Sequence, residues 1–423
     1  MSDKSADKST DNAIADPKTY ASEEGFHSLF TKLRREDPIH WTEPDDYRPF
    51  WTVSKHADIS EIERQNELFI NDPRLTLTTI DTEEKVKEFT GGSHLLLRTL
   101  VNMDNPDHRA YRGMTQAWFM PPNLKSLEAK VSALAKEYID RMEAMGGQCD
   151  FARDVAVWYP LRVIMTVLGV PPEDESFMLK LTQEIFGASD PEMKRAEDAT
   201  TFNANTITDF FNYFGAITAD RRKNPRDDVA SVIANAKING ELVSDFEALS
   251  YYIIVATAGH DTTSSTTAGG LLALMQNPGE FAKLRANPEL LSSAVDEMIR
   301  WVTPVKNFFR TATQDVEIRG KKIKAGDNLL MCYWSGNRDE DVFDDPFAFK
   351  VDRSPNKHIA FGYGAHLCLG QHLAKMEIRS LYRELLSRLD TVELAGDPAW
   401  VEANFVSGLK RLPIRYSMKR QAA

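Results

Sequence analysis

Apolar positions recur at helical spacing over much of the chain between residues 106 and 300. One run begins at Pro121 and Pro122, and proline is favoured in the first turn of a helix. The apolar residues that follow at intervals of three or four, and so share one helix face, are Leu124, Leu127, Val131 and Leu134. Further along, Ser244 followed by Asp245 has the composition of a helix start. This part of the chain is predicted to be mainly helical.

Shorter apolar runs predict strands outside that region. Residues 49–53 read Pro-Phe-Trp-Thr-Val, and residues 311–332 contain short apolar runs separated by glycine turns. Residues 71–105 are rich in Thr, Asp and Gly, and we expect a long loop of the kind that forms lids. The predicted fold class is therefore mainly α with minor β sheets. A single domain is expected over residues 21–423, after a disordered tail over residues 1–20.

Composition narrows the cellular setting and the class of partner. The 51 basic and 63 acidic residues give a net charge of −12, which disfavours a surface made for nucleic acid. The only cysteines, Cys149, Cys332 and Cys368, are too few and too far apart for a disulfide framework. The N-terminal residues lack the apolar core of a signal peptide. The most apolar stretch, residues 251–275, contains polar residues that suit a helix inside a protein. We expect a cytoplasmic protein with no nucleic-acid partner and no membrane span.

The segment 361–370, Phe-Gly-Tyr-Gly-Ala-His-Leu-Cys-Leu-Gly, is the most informative in the chain. Its three glycines allow backbone conformations and close contacts that other residues disfavour. Residues 371–386 then predict a helix, so Cys368 precedes a helix N-terminus, where free N–H groups favour a thiolate. Taken alone, the pattern leaves two alternatives open: a buried structural cysteine, or a zinc site that uses His366, Cys368 and His372.

This segment resembles the haem-binding signature of the cytochrome P-450 superfamily, Phe-Gly-x-Gly-x-His-x-Cys-x-Gly, at every defined position. The resemblance implies the cytochrome P-450 fold and a haem b (iron protoporphyrin IX) whose iron is bound by Cys368. It also implies that the other matched positions contact or frame the cofactor: Phe361 against the sulfur, Gly362, Gly364 and Gly370 in the loop, and His366 at a propionate.

Asp261 and Thr262 lie in an apolar helix that is unusually rich in Gly and Thr. A threonine in a helix can donate to the carbonyl one turn earlier, and an acid beside an alcohol is able to relay protons. A solvated Asp next to a Thr-rich face would look the same. The segment resembles the family's oxygen-activation motif, which implies that Asp261 and Thr262 deliver protons. Ile254, Ala258 and Thr262 share a face at a spacing of four, and we expect that face to overlook the haem.

Glu297 and Arg300, three apart on a predicted helix, are close enough to form an ion pair. Their place ahead of the cysteine loop resembles the family's structural Glu-x-x-Arg element, so both are expected to hold the core on the haem side. The family often adds an arginine from a Pro-x-Arg-Phe segment, but residues 346–349 read Pro-Phe-Ala-Phe in this chain. Whether Arg353 takes the place of that arginine is left open by the sequence.

Three basic residues match the family's positions for binding the haem propionates. His108 and Arg112 are four apart on one predicted helix face, and Arg310 lies ten residues beyond the Glu-x-x-Arg element. Cations and hydrogen-bond donors suit carboxylate groups, although a lone surface arginine would carry no such information. With these positions the resemblance extends over residues 20–418.

The resemblance implies a monooxygenase that uses O2 as co-substrate and inserts one oxygen atom into a C–H bond or an alkene. The electrons must come from outside the chain, and the expected donor is a ferredoxin served by an NAD(P)H-dependent reductase. The residues expected to form its docking patch beneath the cysteine are Arg109, Lys375 and Arg379. Two alternatives keep the haem, a peroxide-driven peroxygenase and a haem-based sensor, and the intact Asp261–Thr262 pair disfavours both.

Substrate contacts are expected from the 71–105 loop and from six further residues: Ile254, Thr257, Val305, Phe308, Phe405 and Val406. Because these positions are mostly apolar, the substrate is predicted to be a small hydrophobic molecule. Several stretches, among them residues 103–113, 158–161 and 179–183, are similar to terpineol-hydroxylating bacterial members of the family. That similarity implies a monoterpenoid or alkyl-aromatic substrate. A steroid, a fatty acid or a polycyclic aromatic substrate stays open as an alternative.

Overall fold

The computed structural model describes residues 8–186, 192 and 199–419. The α-helices of these residues, in chain order, are α1 (Lys8–Ala15), α2 (Glu23–Glu36), α3 (His56–Arg64), α4 (Ile80–Thr90), α5 (Asp107–Thr115), α6 (Pro121–Leu124), α7 (Glu128–Ala144), α8 (Trp158–Leu168), α9 (Glu175–Phe186), α10 (Ala199–Lys223), α11 (Val229–Ala234), α12 (Asp245–Gln276), α13 (Pro278–Ala286), α14 (Leu291–Val302), α15 (Tyr333–Gly336) and α16 (Gln371–Arg388). The strands are β1 (Ile39–Thr42), β2 (Phe50–Val53), β3 (Phe69–Ile70), β4 (Gln148–Asp150), β5 (Lys237–Ile238), β6 (Glu241–Leu242), β7 (Asn307–Ala312), β8 (Val316–Ile318), β9 (Lys321–Ile323), β10 (Asn328–Cys332), β11 (Leu389–Leu394), β12 (Ala399–Trp400), β13 (Leu409–Arg411) and β14 (Pro413–Met418).

Helix α12 is 32 residues long and buried over most of its length. It begins where the sequence predicts, because the Ser244 side chain accepts from the Glu247 N–H while the Glu247 carboxylate accepts from the Ser244 N–H. The helix contacts α8, α10, α14 and α16. Long as α12 is, no helix in the described ranges combines the length and the apolar character that a membrane span needs.

Two adjacent glycines let α14 lie unusually close to α12. A Cβ at Gly269 would come within 2.6 Å of Val302, and one at Gly270 within 2.8 Å of Met298. Side chains at these positions would push the two helices apart, since protein interiors have little free space. The glycines that lower the helix propensity of α12 are therefore explained by packing.

The predicted strands are confirmed, and β2 and β10 lie in a five-stranded sheet. Its five strands have the order β1-β2-β10-β7-β3, with β10 parallel to β2 and the other pairs antiparallel. Strands β8 and β9 form a separate hairpin. The molecule thus has the predicted fold class, mainly α with minor β sheets.

The predicted disordered tail over residues 1–20 is wrong from Lys8 onwards, and residues 1–7 lie outside the described residues. Helix α1 and a 3-10 turn over Pro17–Ala21 cover this segment, and Ile14 is fully buried. The segment also pairs with the far end of the chain, because Asn404 Nδ2 donates to Ala15 O at 2.9 Å and Ser407 Oγ donates to Tyr20 O at 3.3 Å. Such long-range contacts leave no trace in local composition.

The 71–105 segment is only partly the loop that the sequence predicts, because α4 occupies residues 80–90. Thr79 caps this helix by accepting from the Thr82 N–H at 3.3 Å, and Gly91 ends it in the left-handed conformation, with φ of 69°. No residue of α4 is buried. An exposed helix needs no apolar face, so the periodicity that reveals other helices is missing.

Glu297 and Arg300 form a fully buried ion pair in the C-terminal half of α14. The guanidinium is bidentate, with Nε to Oε2 and Nη2 to Oε1 both 2.7 Å. Arg353 completes the cluster, since its Nε lies 3.0 Å from Glu297 Oε2. Arg353 therefore takes the place of the arginine that the 346–349 segment lacks. Arg300 Nη1 also donates to the carbonyls of Asn337 and Pro346, at 2.8 and 2.9 Å, so the cluster ties α14 to the chain that leads to the cysteine loop.

Candidate active site

One cavity gathers most of the predicted site residues. Ile254, Ala258 and Thr262 line it along a single face of α12, as their spacing of four predicts, and Cys368 lies in its wall. Further lining residues come from α3, α5, α8, α14, α15, α16, β7, the cysteine loop and the segment between β3 and α5. Residues from distant parts of the chain thus converge on one enclosed space beside the cysteine.

The cysteine loop is a tight turn held by its own backbone. The Gly362 N–H donates to Ile359 O and the Cys368 N–H donates to Phe361 O, both at 2.9 Å. Gly362 and Gly364 have φ of 71° and 68°, which other residues disfavour. Gly364 does not line the cavity. It packs against the end of α3, where an added Cβ would lie 2.3 Å from Glu63 O.

The Cys368 sulfur lies just before the start of α16, as expected. The N–H groups of Gly370 and Gln371 lower the pKa of the Cys368 thiol, as the helix position predicts, and the Arg112 guanidinium acts in the same direction. Burial raises the pKa by more than these groups lower it. A metal ion bound to the sulfur would favour the thiolate further, because metal ions deprotonate a coordinating thiol.

The edge of the cavity near the cysteine collects the basic residues His108, Arg112, Arg310 and His366. The two imidazole rings lie with centroids 3.9 Å apart, and Arg112 Nη2 donates to Leu367 O at 2.7 Å. Burial lowers the pKa of His108 to about 4 and that of His366 to about 2, with nearby arginines adding to the effect. Both rings are therefore neutral donors and acceptors near pH 7, beside two positive guanidinium groups.

This donor set fits haem b. Two guanidinium groups and two imidazoles face one edge, and His108 Nε2 is buried without a hydrogen bond. Two carboxylates such as the haem propionates satisfy these groups. A sulfur ligand lies in the same wall, beside the apolar surfaces of Phe361 and Leu369. The alternative zinc site at His366, Cys368 and His372 is not formed, since the described ranges hold no group of three such ligands placed for a metal ion.

Three residues at this edge escape the sequence-based prediction: Glu63, Asn71 and Tyr333. Glu63 Oε1 accepts from Arg310 Nη2 and from Tyr333 Oη, both at 2.6 Å. Asn71 Nδ2 donates to Val101 O at 2.7 Å and lies 3.2 Å from His366 Nε2. A signal for Glu63 exists in the sequence, because it falls on the same face of α3 as the buried Ile59 and Ile62.

Thr262 and Asp261 occupy different positions relative to the cavity. Thr262 Oγ1 donates to Ala258 O at 2.9 Å, which is the predicted bond to the preceding turn. Asp261 is not among the residues that line the cavity. Its Oδ2 is buried without a hydrogen bond, 3.6 Å from His260 Nδ1. Of the two side chains, Thr262 therefore faces the cavity and Asp261 lies behind its wall.

Five of the six predicted substrate residues divide into two layers. Ile254, Val305 and Phe308 line the cavity, and so do Leu75, Leu100 and Val101 of the 71–105 segment. Phe405 and Val406 do not. The Phe405 ring packs against Phe308 with centroids 5.2 Å apart, and Val406 pairs with Val305.

The prediction of Thr257 as a substrate contact is not supported, because it faces away from the cavity. Its neighbour Ala258 lines the cavity wall, and one residue along a helix turns the side chain by about 100°. Thr257 Oγ1 donates to Ile253 O at 2.8 Å, and the residue is buried. The predicted basic patch also needs a correction, since Lys375 Nζ is paired with Asp296 Oδ1 at 2.7 Å. Its charge is thereby largely neutralised.

Comparisons with known proteins agree on one family. Residues 19–418 match the family model described as Cytochrome P450. Cytochrome P450-terp of Pseudomonas sp is 43% identical, over 95% of this chain and 96% of its own length. Linalool 8-monooxygenase of Pseudomonas putida is 32% identical, over 92% and 95% of the two chains. The crystal structure of CYP108D1 from Novosphingobium aromaticivorans superposes with a TM-score of 0.91 at 44% identity, covering 97% and 99%. The predicted fold is thereby confirmed.

The close approach of Gly364 to α3 yields a prediction. Gly364→Ala places a Cβ against Glu63 O on a residue with φ of 68°, so it should lower the free energy of unfolding by about 2–5 kcal/mol and reduce haem content. Gly113→Ala on α5 is the control, because it meets no atom within 4 Å and improves helix propensity by about 1 kcal/mol. Denaturant unfolding and haem absorbance measure both effects. Equal stability of the two variants would contradict the prediction.

Proposed function

The chain belongs to the cytochrome P450 family, and we propose that it is a haem-thiolate monooxygenase in which Cys368 binds the haem iron. The observation that carries the proposal is that Cys368 shares one cavity wall with a cluster of propionate-binding donors. When bound, the haem supplies the activation of O2 and the insertion of one oxygen atom into the substrate. In this proposal residues 21–423 act as one catalytic domain, together with the segment 8–20 that packs onto them.

The residues around the cofactor have separate tasks in this proposal. Cys368 would hold the metal as a thiolate, and the N–H groups of Gly370 and Gln371 would help to hold the negative sulfur. Arg112 and Arg310 would neutralise the two propionates, while His108 and His366 would donate hydrogen bonds as neutral rings. The residues that would frame the cofactor are Ala258, Phe361, Gly362 and Gly370, with Gly364 fixing the loop from outside.

Proton delivery is assigned to Asp261 and Thr262. The Thr262 hydroxyl lies on the α12 face that carries Ile254 and Ala258 and that lines the cavity. The Thr262 hydroxyl donates its hydrogen to Ala258 O. The lone pairs of Oγ1 are therefore available to accept a hydrogen bond inside the cavity. In this proposal Asp261, whose buried Oδ2 has no hydrogen bond, takes up a proton behind the cavity wall and passes it to Thr262.

The proposed substrate is a neutral monoterpenoid or alkyl-aromatic molecule. The wall formed by Leu75, Leu100, Val101, Val305 and Phe308 is apolar and offers no charged group to anchor a carboxylate. Small apolar ligands suit such a wall, because their binding depends on burying apolar surface. The relatives Cytochrome P450-terp and Linalool 8-monooxygenase support the same class by their names.

Electrons are proposed to come from a ferredoxin that docks beneath Cys368. Arg109 on α5 is exposed and Arg379 on α16 is half-buried, and neither forms an ion pair with another described residue. Two uncompensated cations on the helices that carry the site attract an acidic protein despite the net charge of −12. Lys375 contributes little to this patch because Asp296 neutralises it.

A spectrum tests the central proposal. The reduced protein with carbon monoxide should show the Soret shift typical of a thiolate ligand, and Cys368→Ser should abolish it. In the oxidised protein without carbon monoxide, the haem iron should become high-spin when monoterpene alcohols or alkylbenzenes bind and displace water from the cavity. A normal spectrum combined with a response only to a steroid, a fatty acid or a polycyclic aromatic would leave the monooxygenase in place and remove the proposed substrate class.

Thr262→Ala should uncouple electron consumption from product formation. Without the hydroxyl, the proposed proton relay lacks the group that lies at the cavity. The amount of product formed per NADH should therefore fall by about tenfold or more, while the amount of peroxide rises. Thr257→Ala is the matched control, since it removes the same bond to the preceding turn but faces away from the cavity. Unchanged coupling in Thr262→Ala would remove its proposed role. Turnover supported by peroxide but not by ferredoxin and NADH would favour a peroxygenase.

Charge reversal tests the docking patch. Arg379→Glu and Arg109→Glu should each lower kcat/KM for the ferredoxin by about tenfold at low ionic strength, and the difference should shrink as salt screens the charges. Lys322→Glu in the β8–β9 hairpin makes the same change in net charge on a different element and serves as the control. Equal losses in all three variants would show a net-charge effect and no local docking patch.

A further inference from the structure

His260 is a buried imidazole on α12, directly before the Asp261–Thr262 pair, and the proposed function gives it no role. The residue is 0% exposed. Its Nε2 lies 2.9 Å from Val157 O, and its Nδ1 lies 3.0 Å from Thr182 Oγ1. Val157 directly precedes α8 and Thr182 belongs to α9, so the ring is held between three helices. The position of the ring is therefore fixed, and its hydrogen atoms follow from its partners.

The partners of the ring allow two arrangements of hydrogen atoms. Val157 O can only accept, so Nε2 carries a hydrogen in both. The Thr182 hydroxyl has one hydrogen and two acceptors within reach, His260 Nδ1 at 3.0 Å and Leu179 O at 3.1 Å. If Thr182 donates to Nδ1, the ring is a neutral imidazole. If Thr182 donates to Leu179 O, its oxygen accepts from a protonated Nδ1, and the ring is an imidazolium. His260 can therefore gain or lose a proton while both nitrogens stay hydrogen-bonded.

Asp261 favours the charged arrangement. Its Oδ2 is buried without a hydrogen bond and lies 3.6 Å from His260 Nδ1. A buried, ionised carboxylate oxygen is costly unless a donor reaches it. The neutral ring has no donor on this side, because its one hydrogen is on Nε2 and is bound to Val157 O. The imidazolium offers both an N–H group and an opposite charge, so ionisation of Asp261 and protonation of His260 support each other.

The elements that hold the ring are α8, α9 and the π-helical turn Ala152–Ala156. Their described charged side chains are Arg162, Glu175 and Lys180 in the helices and Arg153 and Asp154 in the turn. Glu175 accepts from Tyr138 Oη and Asp154 accepts from the Asp150 N–H, so both acids have other partners. Within the described ranges, Asp261 is the acid that lies within 4 Å of the ring nitrogens.

We propose that His260 positions Asp261 in the proton relay by donating from a protonated Nδ1 to the ionised Oδ2. A small turn of the carboxylate closes the 3.6 Å separation to hydrogen-bond length. The pair then holds the carboxylate behind the cavity wall after Asp261 has passed its proton to Thr262. His260 does not line the cavity and acts through Asp261, so it is a positioning residue. This inference rests on the proposed relay through Asp261 and Thr262.

The first test measures the charge of His260 without turnover. Nitrogen NMR of the reduced, carbon monoxide-bound protein with isotopically labelled histidine follows each ring over a range of pH. The His260 signal, identified by its absence in His260→Asn, should show protonation. In Asp261→Asn this protonation should require a lower pH, because the imidazolium loses its negative neighbour. An unchanged titration in Asp261→Asn, or a ring that stays neutral down to about pH 5, would overturn the inference.

The second test is the pH profile of kcat with saturating ferredoxin. In the wild-type protein kcat should fall as the pH rises above about 7, because His260 loses the proton on Nδ1. His260→Asn places an amide near Nδ1, and this donor does not titrate. It should keep kcat within about threefold of wild type and remove the fall. His260→Gln places its amide near Nε2 and leaves Asp261 without a donor, so kcat should be about tenfold lower at every pH.

His94→Asn is the control for the loss of a histidine, because His94 is exposed and its side chain forms no hydrogen bond with a described residue. Its pH profile should match that of the wild type. Thr182→Val is a further variant in case the His260 variants fail to fold. It removes the hydroxyl that donates to the neutral ring, so the fall in kcat should move to higher pH.

A fall in kcat that persists in His260→Asn, or a wild-type kcat in His260→Gln, would contradict the proposed role of His260. Unchanged coupling in Thr262→Ala would instead refute the relay on which this role rests. The NMR titration does not depend on turnover, and it would still show whether His260 and Asp261 form a charged pair. The failure of the inference and the failure of the proposed function are therefore distinguishable.

Discussion

The buried ionic cluster at Glu297 is the interaction on which the placement of the site depends. Glu297 binds Arg300 and Arg353 without access to water, and Arg300 holds the Asn337 carbonyl. The Asn337 side chain in turn accepts from the Ile359 N–H at 2.8 Å, directly before the cysteine loop. Because a buried charge must keep its partners, this chain of bonds has little freedom to shift. The loop therefore starts from a fixed point on one side, and contact between Gly364 and α3 fixes it on the other.

The features that could be predicted from the sequence are those whose cause is local. The Ser244 cap, the start of α16 and the glycine loop each need only neighbouring residues. The missed features come from contacts across the chain. Arg353 binds an acid 56 residues away, and Glu63 binds Arg310 across 247 residues. Helix α4 was missed for a different reason, because an exposed helix needs no apolar pattern.

The substrate side of the cavity also shows what residue type alone can predict and what it cannot. An apolar residue at a family position predicts an apolar wall, yet it does not tell which apolar residue touches the ligand. Phe308 touches the cavity and Phe405 supports it from behind, although both are phenylalanines in neighbouring segments. The size and shape of the accepted molecule depend on both layers, because the rear layer limits how far the front layer can move. The apolar composition of the wall therefore predicts the class of substrate, whereas the identity of the substrate depends on how the wall residues pack.

The contact of residues 15–20 with the turn before β13 has a consequence for how the protein is made. Asn404 and Ser407, which flank the rear layer of the substrate wall, bond to Ala15 and Tyr20, almost the whole chain length away. A ribosome releases residues 15–20 well before residues 404–407, because Asn404 follows Ala15 by 389 positions. Until residues 404–407 emerge, the carbonyls of Ala15 and Tyr20 lack these hydrogen-bond partners. The wall is completed last, so the nascent chain cannot form a closed binding site before its C-terminal hairpin emerges.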